Sequence, residues 1–300
     1  MTDYDAVLLA GPTASGKSRL ALELAREHNG VVINADSMQV YAELRILSAR
    51  PSTDDEAAVP HRLYGTVPVA TRYSVGAWLG DAAAAVRATQ EEGLMPIVVG
   101  GTGLYFKALT EGLAAVPPIP DEVRERLGVE VEGLSSHELH ARLASVAPDD
   151  ARAVRSSDRA RIVRALEVFE ATGRSLARWQ EADPLPPLIA PANTRRIVLA
   201  CERTVLHERI AARAEEMVRG GGLAEAEAMG RLRLNPELPA MKAIGVRELL
   251  DHLAGKTSLD EAIAAMKTET RRYAKRQETW FRNQMGDWER IEAAAMSNVE

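Results

Sequence analysis

The 300-residue chain reads as an α/β protein, a parallel sheet covered by helices and interrupted by an all-helical insertion. Three observations carry this. Short apolar runs alternate with helical patterns through the first third of the chain. Glycines follow the apolar runs directly, at Gly11 and at Gly100–Gly101. Two proline-rich segments, "VPPIP" (116–120) and "DPLPPLIAPA" (183–192), bracket a stretch that carries only helical periodicity.

Taken in order, "AVLLA" (6–10) and "GVVINAD" (30–36) are buried strands, with the helix "KSRLALELAREH" (17–28) between them. "GTVPV" (65–69) reads as a short strand, "SVGAWLGDAAAAVRATQEEG" (74–93) as a helix, and "MPIVVGG" (95–101) as the next strand. Residues 121–181 are helical with arginine-rich faces. "TRRIVLACE" (194–202) resumes the sheet, and the rest is helical, at about 205–219, 223–234, 243–254 and 258–284. The organisation expected is a core in two parts, 1–116 and 191–300, around an insertion at 117–190.

Composition bounds the function. The chain is 46% hydrophobic and 27% charged, enough for a real core, and its 4% aromatic content leans helical. A net charge of −6 argues against a general nucleic-acid binder, although a basic face can sit on an acidic chain. The single cysteine, Cys201, cannot form an internal disulfide, and its apolar run "RIVLACE" suggests buried packing. The opening segment carries Asp3 and Asp5 and no basic region, so no signal peptide is expected. No apolar stretch approaches the roughly 20 residues of a membrane span. The expectation is a cytoplasmic protein.

Within "LLAGPTASGKSRLALELA" (8–25), Gly11 to Ser18 fits G-x-x-x-x-G-K-[ST] at every fixed position. The candidate phosphate-binding residues are therefore Gly11, Pro12, Thr13, Ala14, Ser15, Gly16, Lys17 and Ser18. The glycines let successive N–H groups converge on one anion, and the following helix adds its positive end. Lys17 supplies a point charge, and the Ser18 hydroxyl suits Mg²⁺.

The motif does not say which phosphate ester is held. Nucleotide kinases place an aspartate after a second apolar strand to hold Mg²⁺. Here "PIVV" ends in Gly100–Gly101–Thr102, whereas "VVIN" runs into Ala35–Asp36, so a kinase stays open on this reading. "NADSMQVY" (34–41) gathers Asp36, Ser37, Gln39 and Tyr41 just past a strand end, where open parallel sheets bind ligands. Asp36 is a metal ligand through water, a general base or a cap for its own turn. Ser37 and Gln39 suit the edge of a base, and glutamine is a natural bidentate partner of adenine.

Two blocks are basic. Residues 151–178 carry seven arginines against Asp158, Glu167 and Glu170. Residues 267–282 carry six basic groups against Glu269 and Glu278, with Tyr273, Trp280 and Phe281 interleaved. Such blocks suit a phosphate backbone and unpaired bases, or are solvated faces with core aromatics.

The motifs "GPTASGKS", "NADSMQVY", "PHRLYG", "PIVVGGTGLYFKAL", "RIVRALEVFEATG", "GGLAEA" and "TRRYAKRQETWFR" resemble, in order and spacing, the tRNA dimethylallyltransferases. The resemblance spans about residues 6–284. It implies a P-loop NTPase-like core with a helical insertion, and a monomer. It implies dimethylallyl diphosphate as donor, with Mg²⁺, the loop holding that diphosphate without nucleotide hydrolysis. The implied acceptor is N6 of the adenosine beside the anticodon (position 37) in tRNAs that read codons beginning with U.

The same resemblance assigns roles. Asp36 accepts the N6 proton, Thr13 lies near the diphosphate, and Arg213 in "RAEEM" joins the diphosphate clamp. Contacts to the tRNA anticodon stem-loop fall on Asp36, Ser37, Met38, Gln39, Thr102 and Arg124, and on "ARIVR": Ala160, Arg161, Ile162, Val163 and Arg164. "YAELRILSARPS" departs from the commoner family form, so the contacts of residues 42–52 are not carried over. No D-D-x-x-D motif is present; "TDDE" (53–56) and "PDDAR" (148–152) lack the second acid at that spacing. Two other readings compete: a P-loop small-molecule or nucleoside kinase, and an RNA-binding protein whose loop only senses nucleotide.

Overall fold

The computed structural model describes residues 4–182 and 185–293. Asp3 and the first two residues of "DPLPPLIAPA" lie outside them. Contacts divide the chain into two compact units, one running up to Thr110 and resuming at Leu188, the other Glu111–Pro187.

The first unit is built on one six-stranded sheet in the order β3-β2-β4-β1-β5-β6. The strands are β1 (Ala6–Ala10), β2 (Gly30–Asn34), β3 (His61–Arg62), β4 (Met95–Gly100), β5 (Thr194–Ala200) and β6 (Glu289–Glu292). Every pairing is parallel. The P-loop NTPase-like α/β core expected from sequence is the fold observed. β1 and β2 are buried along their whole length, which is why they read as unbroken apolar runs and not as alternating ones. Val7, Leu9, Val32, Ile97 and Ile197 pack there against Leu24.

Around the sheet lie α1 (Lys17–Glu27), α2 (Thr53–Ala58), α3 (Val75–Glu91) and α4 (Gly103–Glu111). The second unit holds α5 (Asp121–Val131), α6 (Ser136–Val146), α7 (Pro148–Ala153), α8 (Arg159–Thr172) and α9 (Leu176–Glu181). The chain then adds α10 (Arg203–Met217), α11 (Leu223–Arg231), α12 (Val246–Leu253) and α13 (Leu259–Gln284). α13 starts at a reciprocal cap: the Ser258 hydroxyl accepts from Glu261 N–H, and the Glu261 carboxylate accepts from Ser258 N–H.

The second unit closes on its own core of Leu127, Leu139, Leu143, Ile162 and Leu166. Its chain ends meet in an antiparallel bridge between Leu113 and Leu185. In the first unit, the Leu109 carbonyl accepts from both Leu188 N–H (2.9 Å) and Ile189 N–H (3.2 Å).

Three local expectations are corrected. "GTVPV" forms no strand; Val67 makes one isolated bridge to Tyr41, and Pro68, with no N–H to donate, cannot extend it. Instead His61–Arg62 pairs with β2. β6 was not expected, because "ERIE" is a charged edge strand with three of its four residues exposed and no apolar run to mark it. Cys201 is partly buried and lies beyond the last residue of β5. Its sulfur accepts from Arg209 Nη1 at 3.7 Å, and its side chain packs against the buried cluster of Leu206, Ile210 and Ala274, so it lies at the edge of a core and not inside one.

Candidate active site

The carboxyl ends of β1, β4 and β2 carry the candidate chemistry. After β1 the chain turns through Gly11–Gly16 into α1. Ala14 (φ 63°) and Gly16 (φ 96°) are both left-handed. Alternation of this kind turns successive N–H groups to one side and makes an anion-binding nest. α1 begins on Gly16 with no side-chain cap, so nothing of that kind competes with an anion for its first N–H groups. The Ser15 hydroxyl is buried and has no hydrogen-bond partner among the described residues. The Ser15 carbonyl accepts from Arg209 Nη1 at 3.2 Å, which holds the turn from α10.

Lys17 Nζ donates to the Pro12 carbonyl at 2.6 Å. Burial pulls its ammonium down to about 7, opposed by the charge of Asp36 and reinforced by Arg213. Arg213, on α10, is likewise lowered by burial and sustained by Asp36. Lys17, Arg213 and Asp36 therefore feel one another's charge, as one site requires. Ser18 is exposed on the first turn of α1.

Asp36 follows β2 and is held by Asn34, a fully buried polar residue at the strand end. Asn34 Oδ1 accepts from Asp36 N–H at 2.8 Å, and Asn34 Nδ2 donates to the Asp36 and Leu63 carbonyls. Asp36 Oδ1 in turn accepts from Met38 N–H. Asp36 thus caps its own turn with one oxygen and keeps Oδ2 for other work. Ser37 N–H donates to Thr102 Oγ1 at 2.9 Å, joining this turn to the one after β4.

Three tyrosines lie within electrostatic reach of the carboxylate. Burial, and after it the charge of Asp36, raises the hydroxyls of Tyr64, Tyr105 and Tyr273, so all three stay neutral. Tyr105 stacks on Trp78 at 4.1 Å, and Trp78 Nε1 donates to the Asn34 carbonyl.

Gln277 was not singled out from sequence. It is 5% exposed on α13, where Oε1 accepts from Thr13 N–H and Nε2 donates to the Gly101 carbonyl, both at 2.9 Å. Its signal was available: a polar residue on the apolar stripe that also carries Ala274 and Phe281. Glu225 was also missed. Its carboxylate accepts from the N–H groups of Arg45, Ile46 and Leu47 at 2.8–2.9 Å, which anchors the segment 42–52.

Several sequence expectations need correction. The Gln39 amide nitrogen donates to the Ser48 and Ala49 carbonyls, so both its N–H groups are engaged and it is not free to bind adenine bidentately. Ile162 is fully buried in the helical core, because position 162 falls on the inner face of α8. Its side chain is therefore not an RNA contact. Phe281 is 1% exposed and cannot stack on a base.

The remaining candidates on the helical unit are accessible to different degrees. Ala160 is exposed and Val163 half-buried. The Arg161 side chain is 73% exposed, beside Asp158. Arg164 and Arg124 both face Glu167, at 3.4 and 3.8 Å. On α13, Arg272, Lys275 and Arg276 line an open groove with Trp280.

A family model described as IPP transferase matches residues 39–284, and one described as isopentenyl transferase matches residues 4–66. A tRNA dimethylallyltransferase from Bradyrhizobium sp. is 52% identical over 289 residues, covering 96% of this chain and 94% of that protein. One from Agrobacterium fabrum is 52% identical over 291 residues, covering 97% of each. Among solved structures, a full-length tRNA isopentenylpyrophosphate transferase from Bacillus halodurans superposes with a TM-score of 0.69 at 32% identity, covering 98% of this chain and 92% of that one. A eukaryotic dimethylallyltransferase acting on tRNA superposes at 0.80 with 27% identity, covering 98% and 75%. Likeness of that extent, running through the phosphate loop, the Asp36 turn and the helix of Gln277 alike, makes this chain a member of the tRNA dimethylallyltransferase family.

Proposed function

We propose that the chain transfers the dimethylallyl group of dimethylallyl diphosphate to N6 of the adenosine beside the anticodon (position 37), in tRNAs that read codons beginning with U. The observation that carries this reading is Asp36 Oδ2, a carboxylate oxygen outside its own turn bond, within electrostatic reach of Lys17 and Arg213. An acceptor for a proton and a clamp for a leaving diphosphate share one site.

An adenine amine is a poor nucleophile, because its lone pair is delocalised into the ring. An allylic diphosphate is a good electrophile once its leaving group is neutralised. The loop amides, Thr13, Lys17 and Arg213 bind the diphosphate and take up charge as the allylic C–O bond breaks. Asp36 Oδ2 accepts the N6 proton as the new C–N bond forms, and diphosphate leaves. Tyr64 and Tyr273, half-buried and kept neutral beside Asp36, exclude water from the allylic carbon.

The described residues fit a Mg²⁺ that arrives with the donor. No group of three or more His, Cys, Asp or Glu among them could hold a metal alone, whereas Ser18, whose hydroxyl suits Mg²⁺, is exposed on the first turn of α1. Bound there with the diphosphate, Mg²⁺ would supply charge neutralisation.

For the acceptor, Ser37, Met38 and Thr102 lie beside Asp36, with Thr102 toward the adenine. Arg161, Arg164, Arg124, Ala160 and Val163 are the anticodon stem-loop contacts proposed on the helical unit, and the α13 groove adds basic groups. The adenosine leaves its stack to react. The chain is proposed to act as a monomer in the cytoplasm; no described helix is long and apolar enough to cross a membrane.

The test is mass analysis of tRNA after incubation with enzyme and dimethylallyl diphosphate. An added isopentenyl group on the adenosine beside the anticodon supports the reading. Phosphate transfer from ATP with the isoprenoid ignored would establish a kinase instead. Binding of tRNA without turnover of either donor would leave an RNA-binding protein.

A further inference from the structure

We infer that Gln277 is a positioning residue that sets the spacing between the phosphate loop and Asp36. The inference rests on the transfer reaction proposed above. β4 lies between β1 and β2 in the sheet, so its terminal turn sits between the donor cradle and the carboxylate. Two side chains tie the three strand ends together. Gln277 joins Thr13, after β1, to Gly101, after β4. Thr102 joins the same turn to Ser37, after β2 and next to Asp36.

The orientation of the Gln277 amide is settled by its partners. A backbone N–H requires the oxygen and a backbone carbonyl requires the nitrogen, so only one of its two flips satisfies both. The approach is also close. A Cβ at Gly101 would fall 2.2 Å from Gln277 Nε2, so glycine there is what lets the amide reach the turn; Asp36 Oδ2, at 3.4 Å from the same point, would be in ordinary contact. Gln277 acts on the site through the groups it holds, Thr13 N–H and the Gly101 carbonyl, with Tyr273 one turn earlier on α13 as a further neighbour. Its effect is on where the leaving group sits relative to the base, and reaction rate is steep in that distance.

The experiment measures kcat, both KM values and thermal stability for wild type, Gln277→Leu, Gln277→Glu and Gly101→Ala, with tRNA and dimethylallyl diphosphate. Gln277→Glu is isosteric and still accepts from Thr13 N–H, but as a carboxylate it has nothing to donate to the Gly101 carbonyl. Gly101→Ala leaves Gln277 in place and displaces its amide, so the reading survives if a Gln277 variant fails to fold.

The expected result is a fall in kcat of about 100-fold in each folded variant, with each KM within about threefold and inorganic diphosphate bound as in wild type. Any folded variant with wild-type kcat overturns the inference. So does a loss confined to donor KM, which would make Gln277 a part of the binding loop only. If wild type itself fails to prenylate tRNA, the proposed function falls; if wild type prenylates and the variants match it, only the role of Gln277 falls.

Discussion

Met38 N–H lies 2.9 Å from Asp36 Oδ1, so one oxygen of the carboxylate holds the turn and the other, Oδ2, is directed toward Gly101. The two functions are separable by chemistry. Asp36→Asn keeps an oxygen for Met38 N–H and removes the proton acceptor. Transfer should fall by about 10²–10⁴-fold, with thermal stability and tRNA affinity retained. Asp36→Ala should lose transfer and also loosen the turn, lowering the melting temperature. Near-normal turnover by Asp36→Asn would exclude Asp36 as the base.

Lys17 predicts a pH dependence of donor binding. In the free protein its ammonium titrates near 7, because burial outweighs the help of Asp36. A bound diphosphate favours the charged form and raises that value. Binding therefore takes up a proton at pH above about 7. Lys17's contribution to affinity is full below that and shrinks as pH rises. Calorimetry of diphosphate binding in buffers of different ionisation enthalpy measures the uptake. Lys17→Met should lose this part of the pH slope; identical slopes in both proteins would refute it.

Arg161 and Ile162 are neighbours with opposite roles. Arg161→Ala should weaken tRNA binding and lower the slope of log affinity against log salt by about 1, with little change in stability. Ile162→Ala should destabilise the helical unit by about 2–5 kcal/mol and leave the salt slope alone. Filter binding over a salt series and denaturant titration read the two effects; a flat salt response in wild type would defeat the basic-face argument.

Glu225 predicts a loop anchored by one carboxylate. Glu225→Ala leaves three N–H groups of residues 45–47 without their acceptor. Stability should fall by about 2 kcal/mol, and limited proteolysis should cut this segment sooner than in wild type. Unchanged cleavage would show that the segment is held by other contacts, such as Arg45 on Glu56.

What could be read from residues alone follows physical lines. β1, β2 and β4 were legible because burial on both faces demands unbroken apolar runs. The phosphate loop was legible because its left-handed turn demands particular residues. β6 was not, since an exposed edge strand needs no apolar pattern. Gln277 escaped because its partners are backbone groups 264 and 176 residues away, which no local pattern reports. Gln39 misled for a related reason. Its type suits a base edge, but its N–H groups are claimed by Ser48 and Ala49.

The doubly accepting carbonyl of Leu109 has a consequence for how such a chain diversifies. The polypeptide leaves the sheet unit and comes back to it at one point, where Leu188 and Ile189 meet Leu109. Whatever lies between is, to the sheet, a loop whose ends are already pinned. Closing a longer loop there costs only slowly more entropy. A segment grafted in at this stem can lengthen, shorten or change its exposed surface while the strands that carry the phosphate loop and Asp36 keep their register.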